Sequence, residues 1–191
     1  MFDIAKLYFR YGTMGSSKSA NALMTRFNYI ERGYRVLLMK PAVDVREGRN
    51  VVHSRIGLEA LAELLAAGDT VRQHYGEMPP QCIILDEAQF ATEEQVEELR
   101  DIADLEDIPV FCYGLRTDFR TRLFPGSRRL FELADSVYEL KCVCDCGRKA
   151  IVNARYANGR IVSEGAQIAI GGNEMYRGLC YRCWKRERGG D

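Results

Sequence analysis

The chain has 191 residues, 47% of them hydrophobic and 28% charged, a composition that suits a folded protein with one main core and a small appended unit. Lysine plus arginine and aspartate plus glutamate both number 27, so no net field draws the chain to nucleic acid or an anionic membrane, and phosphate must be held locally. No run reaches the roughly 18 to 20 consecutive apolar residues of a membrane span, and the opening MFDIAKLYFRYG lacks a basic segment followed by an apolar stretch and a cleavage site, so a cytoplasmic protein is expected.

In chain order, the aromatic-rich run Lys6 to Tyr11 stops at Gly12, as a buried strand entering a tight turn does. From Ser19 to Arg32 the apolar residues Ala22, Leu23, Phe27 and Ile30 recur at helical spacing, and Gly33 supplies a stop. Arg35 to Lys40 reads as a second strand ended by Pro41, and Asp44 to His53 as an irregular loop. The spacing predicts a helix over Glu59 to Ala67 and a strand over Cys82 to Leu85. Thr92 with Gln95 is a capping box that opens a helix through about Ala103. Strands are expected at Ile108 to Tyr113 and Val137 to Leu140. His53 and His74 fall in segments read as surface loop, and Cys82 and Cys112 as small buried side chains.

Strands alternating with helices predict an α/β fold: a mostly parallel sheet flanked by helices, with ligands gathering at the carboxyl ends of the strands. After Leu140 the composition changes. Five of the seven cysteines fall between Cys142 and Cys183, which suits metal ligation in a reducing compartment better than a disulfide framework. The boundary is therefore drawn between 1–140, a nucleotide-binding unit, and 141–191, a small metal-stapled one.

Gly12, Thr13, Met14, Gly15, Ser16, Ser17, Lys18 and Ser19 follow a strand and open a helix, the context of a phosphate-binding P-loop. Such a loop wraps backbone N–H groups around nucleotide phosphates; Lys18 would neutralise their outer oxygens and the Ser19 hydroxyl would bind Mg²⁺. Ser17 stands where the motif has glycine, at a cost of about 1 to 3 kcal/mol if its φ is positive. Cys82 to Glu87 is an apolar strand ending in two carboxylates, the acidic motif that answers a P-loop. Asp86 can hold Mg²⁺ while Glu87 faces a substrate cleft as a general base. ATPases and kinases both carry acids here, so the two motifs alone do not separate them. Cys144 and Cys146, with Cys180 and Cys183, are two close pairs able to meet at one tetrahedral Zn²⁺; Cys142 makes five thiols for four places.

Asp86-Glu87-Ala88-Gln89-Phe90, Cys112 through Arg120 and Gly171 through Tyr176, together with the P-loop, resemble the cytosolic (type II) thymidine kinase family from about Leu7 to Cys183. The resemblance implies a RecA-like P-loop NTPase fold with a small C-terminal zinc-containing lasso domain over the nucleoside. It implies ATP as phosphate donor, with the segment Asp86, Glu87, Ala88 and Gln89 joining the P-loop in ATP binding. Glu87 would take the proton from a deoxyribose 5′-hydroxyl, and Asp44 and Arg46 match a family pair near the transferred phosphate, where a guanidinium steadies charge. For the pyrimidine the matching residues are Met14, Phe90, Leu115, Phe119, Phe124, Asn153 and Tyr176, with main-chain groups of a lasso loop at about Gln167, Ile168, Ala169, Ile170 and Gly171. Asn153 stands where vertebrate members have threonine near the base methyl, which leaves the preference between thymidine and deoxyuridine open; the resemblance implies thymidine as acceptor, with deoxyuridine beside it. Some members read C-x-C-G-R-K-A with the pair at Cys144 and Cys146, which leaves Cys142 out. The resemblance further implies a homotetramer inhibited by dTTP, acting in nucleoside salvage without nucleic acid or membrane partners. The competing expectation is a RecA-like ATPase gripping DNA through its zinc module, for which the basic tail Arg182, Lys185, Arg186 and Arg188 is the sequence support.

Overall fold

The computed structural model describes residues 5–43, 50–167 and 175–189. Six strands form one sheet in which every neighbouring pair is parallel: β1 (Leu7–Tyr11), β2 (Val36–Pro41), β5 (Glu63–Leu65), β6 (Cys82–Leu85), β7 (Val110–Gly114) and β8 (Ser136–Glu139), in the order β5-β2-β6-β7-β1-β8. Side chains alternate across it with the period of a strand. Cys82, Ile84 and Leu38 face α1 (Lys18–Ile30) through Ala22 and Leu23. Ile83, Leu85, Phe9 and Met39 face α2 (Glu93–Leu105) and α3 (Pro125–Leu133) through Val96, Leu99, Ile102 and Leu130. Both faces are thus covered, which is why β6 reads as an unbroken apolar run.

The capping box at α2 is present in both directions: Gln95 N donates to Thr92 Oγ1 at 3.2 Å and Thr92 N to Gln95 Oε1 at 3.1 Å. The Gln95 amide also donates to the carbonyls of Ala66 and Asp69, so the cap ties α2 to the segment behind β5.

The expected helix over Glu59 to Ala67 does not form. Its residues instead make two short strands with different partners: β4 (Glu59–Leu61) pairs antiparallel with β3 (Val51–His53), and β5 joins the edge of β2. Helix propensity is worth only tenths of a kcal/mol per residue. Burying Leu65 against the sheet core and pairing the β2 edge outweigh it. β3 also replaces the tail of the expected loop, so His53 lies in a strand. His74 lies in a 3₁₀ turn (Arg72–His74) and is only partly exposed, with its Nε2 3.4 Å from Asp69 Oδ2, where a surface loop was expected.

Beyond β8, β9 (Val152–Ala157), β10 (Arg160–Ile161) and β11 (Tyr176–Leu179) form an antiparallel sheet in the order β10-β9-β11, followed by α4 (Tyr181–Glu187). Their apolar residues pack in a cluster of their own around Val152, Ala154, Leu179 and Trp184.

Candidate active site

The loop between β1 and α1 is held in shape from both ends. Gly12 N donates to Gly114 O at 3.2 Å, and a Cβ on Gly12 would lie 2.4 Å from Leu140 O and 2.3 Å from Ser16 Oγ, so only glycine lets the loop pass between β7 and the chain leaving β8. Gly15 (φ 85°) and Ser17 (φ 60°, ψ 30°) take left-handed conformations, and Ser16 N between them donates to Thr13 O at 3.1 Å. Buried Lys18 folds back on the loop, its Nζ donating to Thr13 O at 2.9 Å.

At the carboxyl end of β6, Asp86 and Glu87 divide. Asp86 is buried, with Ser19 of the P-loop helix beside it favouring its charged form, and its Oδ1 has no hydrogen-bond partner among the described residues. Burial and the neighbouring Glu87 charge push its carboxyl up to about 7, against the pull of Ser19 and Lys18. An unpartnered buried carboxylate oxygen beside a serine hydroxyl and a phosphate loop is a fit for a divalent cation, which would supply the missing partner. Glu87 sits half-exposed in a left-handed backbone conformation (φ 53°, ψ 35°) and opens a 3₁₀ turn, Ala88–Phe90.

One cleft brings these groups together. Met14, Ser17, Lys18 and Ser19 form one wall, Asp86, Glu87 and Leu115 another, and the β3–β4 hairpin closes the third with Val52, His53, Ser54, Arg55 and Ile56. Lys40, at the end of β2, also lines it; this buried lysine donates to Val51 O at 3.1 Å and so ties the hairpin to the sheet. Sequence reasoning missed Lys40, whose signal was a lysine ending an apolar strand, and missed the hairpin by reading it as loop and helix.

Of the residues expected around a base, Met14 and Leu115 share the cleft with Glu87. Phe90 and Phe124 meet edge to face with centroids 5.5 Å apart. Asn153, on β9, accepts from Met14 N at 2.8 Å and donates to Thr117 O at 2.9 Å, which joins the C-terminal sheet directly to the phosphate loop. Phe119 is buried beneath the Arg155 guanidinium, 3.7 Å from its ring centroid; that guanidinium donates to the carbonyls of Glu164 and Ala166. Gln167 donates to Asp118 Oδ2 at 3.2 Å, so two side chains pin the chain where it leaves β10. Tyr176 opens β11 opposite Arg155. Asp44, Arg46, Ile168, Ala169, Ile170 and Gly171 lie outside the described residues.

The sulfur atoms of Cys144, Cys146, Cys180 and Cys183 all lie within 4.8 Å of one another. A tetrahedron of thiolates on zinc has edges of about 3.8 Å, and the Cys146 to Cys180 separation is 3.6 Å. The Cys183 N–H aimed at its sulfur pulls the Cys180 thiol down to about 7, while the adjoining Cys146 and Cys180 sulfurs push the Cys183 thiol up to about 12. The donor set fits zinc with no open position. Cys142 is outside this group; its sulfur instead lies against Gly15, 3.6 Å from where a Cβ would stand.

The thymidine kinase family model matches residues 5–184. The chain is 47% identical to a thymidine kinase of Ruegeria pomeroyi, covering 97% of this chain and 96% of that protein. It is 47% identical to one of Legionella pneumophila strain Paris (98% and 92%), and 46% identical to one of Yersinia pestis (95% of each). With a P-loop, an answering acid pair and a four-cysteine cluster in one fold, and with matches that run almost from end to end, the chain belongs to the thymidine kinase family.

Proposed function

We propose that the protein transfers the γ-phosphoryl group of ATP to the 5′-hydroxyl of thymidine, with deoxyuridine as a second acceptor. The observation that carries this reading is the division of the acid pair. Asp86 is buried beside Ser19 and the P-loop, while the half-exposed Glu87 stands next to it in the same cleft, with Met14 and Leu115. Phosphoryl transfer asks a protein mainly to position two reactants and steady charge. The P-loop N–H groups and Lys18 hold the donor phosphates, for which Lys18 must release Thr13 O. Glu87 accepts the hydroxyl proton as the oxygen attacks. Asp86 and Ser19 would hold Mg²⁺, which when bound neutralises charge on the phosphate oxygens. On the resemblance, Asp44 and Arg46 would stand near the transferred group.

The same reading divides the chain into 1–140 and a zinc-stapled lasso domain, 141–191, that covers the nucleoside. It also carries the family's homotetramer, end-product inhibition by dTTP, cytoplasmic location and place in deoxynucleoside salvage. No helix among the described residues is long and apolar enough to cross a membrane.

The test incubates the protein with γ-labelled ATP, Mg²⁺ and thymidine, deoxyuridine or single-stranded DNA. Labelled dTMP and dUMP are expected; phosphate release only with DNA would replace the kinase with an ATPase. Glu87→Gln is expected to cut transfer by about 10²- to 10⁴-fold, the usual contribution of a positioned base, while ATP binding persists. A wild-type rate in that variant would remove Glu87 from the role.

A further inference from the structure

Gln89 is 1% exposed and lies two residues after Glu87, yet both ends of its amide are occupied. Its Oε1 accepts from Leu115 N at 2.9 Å, and its Nε2 donates to Glu87 Oε2 at 2.5 Å. This orientation follows from the partners. A backbone N–H can only donate, so the oxygen must face Leu115, and an ionised carboxylate can only accept, so the nitrogen must face Glu87.

The surroundings leave the amide no other place. A Cβ on Gly114 would lie 2.8 Å from Gln89 Oε1, and one on Gly126 would lie 2.7 Å from Ala88 O and 2.6 Å from Ala91 O. The 3₁₀ turn that carries Glu87 and Gln89 is therefore pressed between the end of β7 and the start of α3. Ser127 adds a bond to Leu115 O at 2.6 Å. Leu115 is thus fixed at both its N–H and its carbonyl, and it lines the same cleft as Glu87. The carboxylate stands on a residue held in a left-handed conformation, and the Gln89 amide fixes the position of its Oε2.

We propose that Gln89 is a positioning residue: its amide carries the fixed geometry of Leu115 to Glu87 and holds the Glu87 carboxylate at the angle from which it takes the acceptor's proton. This rests on the reading of Glu87 as the base. Gln89 was expected to join the segment that binds ATP, but it is 1% exposed with both ends of its amide occupied, so in this role it touches neither reactant and acts only through Glu87. Removal of the amide leaves the cleft walls standing but takes away the bond that sets the position of Glu87 Oε2. The loss then falls on the chemical step and not on binding.

The test is a kinetic double-mutant cycle on the zinc-loaded protein. Gln89→Met keeps the length and buried volume of the side chain and removes both hydrogen bonds; Glu87→Asp withdraws the carboxylate from the amide's reach. Gln89→Met is expected to lower kcat about 10- to 100-fold, with KM for ATP and for thymidine each within about twofold of wild type. In the Glu87→Asp background the same substitution is expected to change kcat by less than about twofold, because the contact it removes is already gone. Equal losses in both backgrounds, a KM increase at constant kcat, or an unchanged kcat would each overturn the proposal. If Gln89→Met does not give folded protein by melting temperature, Gln89→Leu is measured in its place by the same criteria. A wild-type rate for Glu87→Gln would instead overturn the assignment of the base, whatever Gln89 does.

Discussion

Two non-glycine residues at the site take left-handed backbone conformations, Ser17 at φ 60° and Glu87 at φ 53°. Each costs on the order of 1 kcal/mol relative to a helical or extended backbone. At Glu87 the cost is tied to aiming the acid. At Ser17 the side chain offers nothing in return: it is exposed and makes no capping hydrogen bond to α1, and its carbonyl alone serves the helix through Asn21. Ser17→Gly is therefore expected to raise stability by about 0.5 to 1 kcal/mol, because glycine adopts this conformation without a Cβ penalty. KM for ATP should stay within about twofold, since the loop already has the shape that glycine would give it. Calorimetry and steady-state kinetics check both; a lower melting temperature would mean that the hydroxyl contributes more than the backbone strain removes. The position was legible from the motif alone, because its spacing demanded glycine. The bond from Gln89 to Leu115 was not, because partners 26 residues apart meet only once β6 and β7 lie side by side.

At the scale of elements, local signals were legible where they act locally. The Thr92 and Gln95 box starts α2 because its two bonds close within three residues. The segment Glu59–Leu65 was misread because its fate is decided by distant neighbours: an open β2 edge and the β3 strand of a hairpin. Placement of β8 likewise depends on a remote contact. Asp135, just before it, accepts from Leu7 N at 2.8 Å and from the Arg100 guanidinium at 2.6 Å, so one carboxylate joins the starts of β1 and β8 to α2. Partial burial pushes this carboxyl up, but the Arg100 bond and charge and the Leu7 N–H outweigh it and hold it below the usual aspartate range. With the folded value below the unfolded one, the stabilisation is fully present above about pH 4 and fades as pH falls through the lowered folded value. Because the carboxylate is about a third exposed, the ion pair is screened and worth up to about 1 kcal/mol. Asp135→Asn should thus lower the melting temperature at pH 7 by a few degrees and make no difference near pH 2. An equal loss at both pH values would assign the effect to packing and not to charge.

For the molecule as a whole, the composition changes after Leu140, and the residues beyond it reach back to the phosphate loop. Cys144 and Cys146 precede β9, and Cys180 and Cys183 follow β11, so a metal on the four sulfurs closes the ends of the strand pair that carries Arg155 and Tyr176 and whose intervening chain includes Gln167. From that pair Asn153 takes the Met14 N–H of the P-loop, and Gly178 lies so close that a Cβ would stand 3.1 Å from Met14 O. The cysteine spacing showed the cluster, but not that its sheet leans on the phosphate loop, because Asn153 and Gly178 carry no spacing signal.

Zinc removal should therefore have unequal effects. The six-stranded sheet has its own core on both faces and is expected to remain folded, whereas the cluster around Val152, Leu179 and Trp184 is small and depends on the metal to stay closed. Purified protein is expected to hold about one zinc per chain. Chelation, or Cys183→Ser, should raise KM for thymidine by about tenfold or more and KM for ATP by a smaller factor transmitted through Asn153 and Met14. Limited proteolysis should then cut first within residues 141–191, while far-UV circular dichroism keeps most of its helical signal, which α1, α2 and α3 supply. Full loss of zinc with unchanged thymidine KM would break the link between the metal and the nucleoside cover. A rise in the ATP KM alone would place the metal's influence on the phosphate loop instead.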